Sequence, residues 1–277
     1  EASRMKDRKV SPGPLARFLS AFTLMSRIPV RASFQADFSR ADFWIPALGP
    51  FAGLASVLGF GIAIFLTGSL GIAAASALAA QYFLFNLFHF DGLVDSADAL
   101  LPIASRERRL EILKDPRVGV YGFFSGLCLV AFKFFAISEL AEAGIMFSAL
   151  GAGLLGAPAA GRAAAALIAS RLPPAREGGL GSLMRGFSLA RILAGFAIGL
   201  LPAIAWAAFA GGWALSALAL LSAAAGALVS AAIVGSAYRK DIGGFTGDAL
   251  GAAIELGEVA TLVFLCMALR FYPGALF

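Results

Sequence analysis

The chain has 277 residues, of which 60% are hydrophobic and only 14% charged, with a mean hydropathy of +0.85. This excludes an ordinary soluble domain and points to a membrane protein. Its 32 glycines and 12 prolines follow no fixed period, which excludes collagen-like and low-complexity chains, and a single histidine excludes a His-rich metal cage. Cys128 and Cys266 each sit inside an apolar run, so they make neither a zinc motif nor a statement about redox compartment.

In chain order, residues 1–14 are polar and rich in helix breakers, and are expected to be disordered or an expression remnant. From residue 15 to the end the chain shows no internal repeat and reads as a single transmembrane domain. Leu15, Phe18, Leu19, Phe22, Met25 and Ile28 recur at three- and four-residue spacing, which predicts an amphipathic helix lying on the inner leaflet. Arg17 interrupts the early apolar stretch, which disfavours a signal peptide. A hydrocarbon core of about 30 Å needs roughly 20 helical residues. Runs of that order occur near Trp44–Thr67, Leu70–Phe90, Val118–Ser138, Ala143–Ser170, Ile192–Ala210, Trp213–Ser236 and Ala253–Tyr272. The expected fold is therefore all-α: a polytopic membrane bundle of about seven transmembrane helices plus the N-terminal interfacial helix. Gly156, Pro158 and Gly161 predict a kink or break in the fourth run.

With a net charge of +5 and a pI of 9.6, the chain invites a nucleic-acid reading. The positions of the charges argue otherwise. Nineteen of the 22 Lys and Arg residues fall in the N-terminal segment and in loops near 91–117, 171–191 and 237–252, while the intervening connections carry none. That asymmetry is the positive-inside pattern, and it places the N-terminus and all three longer loops in the cytoplasm. No nucleic-acid partner is expected, because no basic stripe with interleaved aromatics is present.

Two acidic stretches carry the chemistry. Asp91, Asp95 and Asp98 stand at i, i+4 and i+7, on one face of a helix leaving an apolar span, where three like charges need a counter-charge. A hard divalent cation such as Mg²⁺, shared with substrate phosphate oxygens, supplies it more economically than a solvated helix end does. Downstream, Arg109, Lys114 and Arg117 are candidates for anionic substrate groups. The second stretch places Gly243, Gly244, Thr246 and Gly247 just before Asp248, a loop permitting close backbone approach to phosphate at a helix start. Glu255 and Glu258 follow inside an apolar span, where a carboxylate needs a partner, and Arg162 in the fourth run is a candidate.

The remaining candidates are weaker. For His89, a general base, a support to a metal ligand and a satisfied polar contact all stay open. Lys133 is expected to pair within the bundle or snorkel. Gly179 and Gly181, flanked by Arg176 and Arg185, read either as a contact for an anionic substrate or as a flexible loop.

The strings FLSAFTLMSRIPV, FHFDGLVDSADAL, RLEILKDPRVGVYG and GGFTGDALGAAIELGE resemble the adenosylcobinamide-GDP ribazoletransferase, or cobalamin synthase, family in order from about residue 15 to about 262. One departure is Ala99, where the family usually has glycine; it bears on local backbone geometry more than on activity. The resemblance implies an inner-membrane, Mg²⁺-dependent enzyme of the late cobalamin pathway, which joins adenosylcobinamide-GDP to α-ribazole or its 5′-phosphate and releases GMP. Combined with the residue reading, it implies that Asp91, Asp95, Asp98 and Asp248 are metal and catalytic residues, with His89 beside them. Membrane lipid is the expected surrounding, and a homo-oligomer or an assembly with other late-pathway enzymes is left open. Two alternatives are weighed. A CDP-alcohol phosphotransferase has a comparable acidic site, but its Ala-Arg pair after the first Asp-Gly is absent; an ion-coupled transporter would place its charges near the midplane.

Overall fold

The computed structural model describes residues 13–142, 148–176, 184 and 186–271. The expected disorder of residues 1–12 and the candidate contacts Gly179, Gly181 and Arg185 lie outside the described residues. The elements, in order, are α1 (Pro14–Met25), α2 (Ala41–Ala47), α3 (Gly49–Thr67), α4 (Leu70–Gln81), a π-helical turn (Tyr82–Asn86) and α5 (Leu87–Leu100). Then come α6 (Arg106–Ile112), α7 (Val120–Glu142), α8 (Ser148–Arg171), α9 (Leu189–Asp241) and α10 (Gly247–Phe271). No strand forms among the described residues, only an isolated parallel bridge between Pro174 and Phe245.

Six helices are long and apolar enough to cross a membrane, against the expected seven. The numbers differ because α9, 53 residues long, contains two of the expected spans as two helical arms that meet at a non-helical Gly212. A straight helix of that length would reach roughly 80 Å, more than twice a hydrocarbon core. Gly212 takes φ 76°, a left-handed conformation that glycine alone adopts freely, and the chain folds back there. The Ser216 hydroxyl donates to the Ile204 carbonyl, and Leu200 and Ala223 pack in the same cluster, so the two arms of α9 lie side by side.

The centre of the bundle is α8, whose small residues let neighbouring backbones close in. A Cβ on Gly161 would strike the Ile254 carbonyl of α10, and one on Gly257 would lie 2.8 Å from the Gly161 Cα. In lipid, where helices gain little by hiding apolar surface from each other, such close backbone contact is a main source of association. The expected break at Pro158 is not seen; α8 continues through it as one helix, with Gly53 of α3 seated against the Leu154 and Leu155 backbone. At the periphery, α7 buries Gly126, Leu129, Lys133, Ala136 and Leu140 at helical spacing and turns Phe123, Phe132 and Phe135 outward, the pattern of a lipid-facing helix.

Helix α1 starts at Pro14 and docks on the bundle. Ala16, Ser20, Ala21 and Met25 are its buried face, and Phe18 and Phe22 pack edge-on against Trp44, Phe51 and Phe85. Beyond its end, the Arg27 N–H donates to the Leu84 carbonyl in the π-turn, 2.8 Å away. A π-turn disturbs the regular helical ladder, and here α1's exit supplies a partner for one of its carbonyls.

Candidate active site

Helices α5 and α10 cross where Gly92 meets Asp248; a Cβ on Gly92 would lie 2.9 Å from the Asp248 Cα. One turn further along α10, a Cβ on Gly251 would lie 2.6 Å from the His89 carbonyl oxygen. These two glycines let the backbones touch, and the contact brings Asp91, Asp95 and Asp248 to one end of the bundle. Asp91 and Asp248 are both within electrostatic reach of Asp95. Asp91 is exposed, Asp95 and Asp248 are half-buried, and neither Asp91 nor Asp95 has a hydrogen-bond donor or cation among the described residues. Asp248 accepts from the Thr246 hydroxyl at 3.0 Å, and Arg176, whose guanidinium also donates to the Leu110 carbonyl, lies within electrostatic reach of it.

Asp98 stands apart from this set. Its carboxylate accepts main-chain N–H bonds from Gly119 at 2.7 Å and Gly122 at 2.8 Å, capping the first turn of α7 from a neighbouring helix. Gly119 and Gly122 have no side chain because a Cβ at either would collide with that carboxylate. The sequence reading placed Asp98 on the stripe but did not anticipate this cap.

Several other candidates hold the frame together. Arg109 donates to the Ala99 and Leu100 carbonyls at the end of α5 and to the Ala104 carbonyl, with Asp241 3.7 Å away. Gly244 lies against Pro173 and Ala175, where the Phe245 N–H donates to the Pro173 carbonyl. The Thr246 hydroxyl accepts the Ala249 N–H at the start of α10. Gly243 has φ 81° and Gly247 is open, so of this loop these two leave backbone accessible. Arg117 forks onto Asp115 and holds that carboxyl down to about 2. Lys114 has no partner among the described residues.

Glu255 and Glu258 are buried deeper, in a closed polar centre. The Lys133 ammonium donates to both, each at 2.8 Å, and the Arg162 guanidinium to Glu258 at 3.2 Å. Of the two carboxylates for which Arg162 is the candidate partner, the structure pairs it with Glu258. Asn86 donates to both carboxylates, Tyr82 to Glu255 and Gln81 to Glu258. Two acids and two bases leave no net charge, as a low-dielectric interior demands. Gln81, Tyr82 and Asn86 passed unnoticed in the sequence, because polar residues scattered in an apolar run carry no periodic signal. Had all acids and bases inside apolar runs been paired by elimination, the quartet at least would have emerged.

Beside the crossing lies a cavity of about 210 Å³, reached by His89, Asp248 and residues of α1, α2 and α8. His89 is 2% exposed, and neither ring nitrogen has a partner among the described residues.

The donors at the crossing are hard carboxylate oxygens of the kind Mg²⁺ selects. Among the described residues no three His, Cys, Asp or Glu side chains converge as a metal cage. That suits an ion which typically takes only one or two carboxylates and completes its shell with water and substrate phosphates.

No solved structure matches the chain. The chain is similar to proteins named adenosylcobinamide-GDP ribazoletransferase from Klebsiella pneumoniae subsp. pneumoniae, at 35% identity over 256 residues, and from Citrobacter koseri and Escherichia coli, at 33% over 253. Each alignment covers 90% of this chain and 98% of the relative. Residues 17–266 match the family model described as cobalamin-5-phosphate synthase, and with these relatives of nearly equal length the chain belongs to that family.

Proposed function

We propose that the chain acts as its relatives are named, joining adenosylcobinamide-GDP to α-ribazole, or its 5′-phosphate, to give the cobalamin or its 5′-phosphate with release of GMP. The observation that carries the reading is the pair Asp91 and Asp95, carboxylates without counter-charge among the described residues at the α5–α10 crossing, in a chain matched to the family over residues 17–266. Asp91 and Asp95 would hold Mg²⁺, with water and substrate phosphate oxygens completing its shell and Asp248 beside it. When bound, the ion supplies neutralisation of charge on the pyrophosphate. The ribazole hydroxyl oxygen forms a bond to the cobinamide-side phosphorus, the bond to the GMP oxygen breaks, and GMP leaves with that electron pair. Asp248 would take the hydroxyl proton. Lys114 is the unpartnered cation of the α6–α7 connection and would meet the leaving phosphate. Asp98 serves this site by fixing α7 to α5, and Arg109 by closing the end of α5.

The site would face the cytoplasm of the inner membrane, following the basic residues, so that a bulky amphipathic corrinoid stays near lipid while the nucleotide remains in water. The test is turnover of purified protein in detergent with both substrates and Mg²⁺. GMP and the joined corrinoid should appear one for one. Absence of GMP, or release of CMP from a CDP-alcohol instead, sinks the reading.

A further inference from the structure

His89 is an unusual residue to find at the edge of a membrane-embedded cavity. A neutral imidazole carries one N–H donor and one acceptor, and buried polar groups in folded proteins nearly always find partners. Here both nitrogens are buried and without a partner among the described residues. The cavity beside the ring is about 210 Å³. Drug-sized ligands occupy about 300–1,000 Å³, so this slot suits one fused ring system, and neither a corrinoid nor a whole nucleotide fits inside it. Its walls are Met25, Phe88, Met184 and Phe187, with Ala165 and Ala166 of α8 leaving the space open. Thioethers and aromatic rings favour a flat aromatic guest. Asp248 lines one part of the cavity and belongs to the acidic crossing as well, so a guest here would have its substituent beside the reacting groups.

We infer that this cavity seats the benzimidazole base of α-ribazole, with His89 hydrogen-bonding its free ring nitrogen and Asp248 facing the attached sugar. The inference rests on the reaction proposed above. The base competes for the slot with the guanine of the other substrate, and the chemistry separates them. Guanine would need the Asp248 carboxylate for its N1–H and amino group, taking it from the hydroxyl proton that carboxylate is proposed to accept, and the apolar remainder of the lining would leave most of its other polar atoms unsatisfied. A dimethylated benzimidazole already bonded to ribose keeps one ring nitrogen that needs a single donor, and its methyl groups suit the apolar wall. His89 thus selects the nucleophile's base by a hydrogen bond, with no change of its charge required.

The experiment measures KM for each substrate separately, and the binding of α-ribazole alone to purified protein by calorimetry. His89→Asn removes the imidazole, and Met184→Trp fills the slot from a loop, where folding is less at risk. Either change should raise the KM and the dissociation constant for α-ribazole at least about tenfold, and move the KM for adenosylcobinamide-GDP less than about twofold. If His89→Asn yields no folded protein, Met184→Trp decides alone. A shift confined to adenosylcobinamide-GDP would assign the slot to guanine and overturn the inference, as would unchanged α-ribazole binding. Wild-type protein that turns over while the variants show no split loses only this inference; wild-type protein that makes no GMP loses the reaction and the inference together.

Discussion

Asp248 and Glu255 stand two turns apart on one face of α10, yet the fold treats them oppositely. Around Glu255 and its neighbour Glu258 every carboxylate oxygen has a donor, and Lys133 and Arg162 balance the charge. Around Asp248, Asp91 and Asp95 like charges are brought together, and the first two carboxylates of the α5 stripe have no counter-charge among the described residues. A satisfied cluster is explained by the protein alone; an unsatisfied one at a bundle end implies something brought to it. Buried charge inside a span is thus not by itself the mark of a site, since the centre richest in polar groups is here fully paired.

The largest effect should come from unbalancing the closed centre. Arg162→Met leaves two carboxylates with one cation, a loss of about 3–5 kcal/mol by analogy with broken buried pairs. Folded yield and thermal midpoint in detergent should fall sharply. Adding Glu258→Gln restores neutrality and should recover part of the loss; strictly additive losses would mean the two do not act as a pair. At the open cluster the signature reverses. Asp95→Asn relieves repulsion, so stability in metal-free buffer should hold or rise, while turnover drops by at least about 100-fold, about 2.7 kcal/mol of lost transition-state stabilisation. Asp37→Asn, outside both clusters and paired with Arg17, is the control with near-normal turnover. Near-normal turnover of the Asp95 variant would reduce the open cluster to a solvated helix end.

Asp98→Asn tests the boundary between the two behaviours. An amide keeps one acceptor oxygen for Gly119 or Gly122 and loses the charge, which should cost about 1–2 kcal/mol. Unlike the Asp95 variant, it should melt earlier with and without Mg²⁺. A stability equal to or above wild type would return Asp98 to the repulsive stripe and remove its assigned cap.

Much of this was legible from residue spacing. The apolar runs located the spanning helices, and the charge pattern put the Asp91–Asp98 stripe and the loop before Asp248 on one side, while their crossing through Gly92 and Gly251 came only from the structure. The runs also divided α9 correctly, ending one span before Gly211 and starting the next after Gly212, where the helix is broken. A stripe at i, i+4 and i+7 did not reveal that its last carboxylate would be taken by main-chain N–H groups of another helix. That depends on a tertiary approach, whose only trace is the absence of side chains at Gly119 and Gly122. Gly244 and Thr246 show a further tertiary role that spacing does not reveal, a close approach to Pro173 and Ala175 and a bond to the Ala249 N–H.

The π-turn at Tyr82–Asn86 sets a phase relation between the two clusters. It lies between the Gln81 donor to Glu258 and the aspartates of α5, and it inserts the equivalent of one residue into an otherwise continuous helix. One residue turns an α-helix by about 100°. Were the turn to relax to regular helix by loss of the lipid-exposed Leu84, Gln81 could still face Glu258, but Asp91 and Asp95 would rotate away from Asp248. Gly92 would leave its crossing with α10, and the Leu84 carbonyl would no longer be there for Arg27. The angular offset that makes the closed centre and the open cluster compatible on one helix is therefore stored in a five-residue turn, clamped from outside by the segment that follows α1.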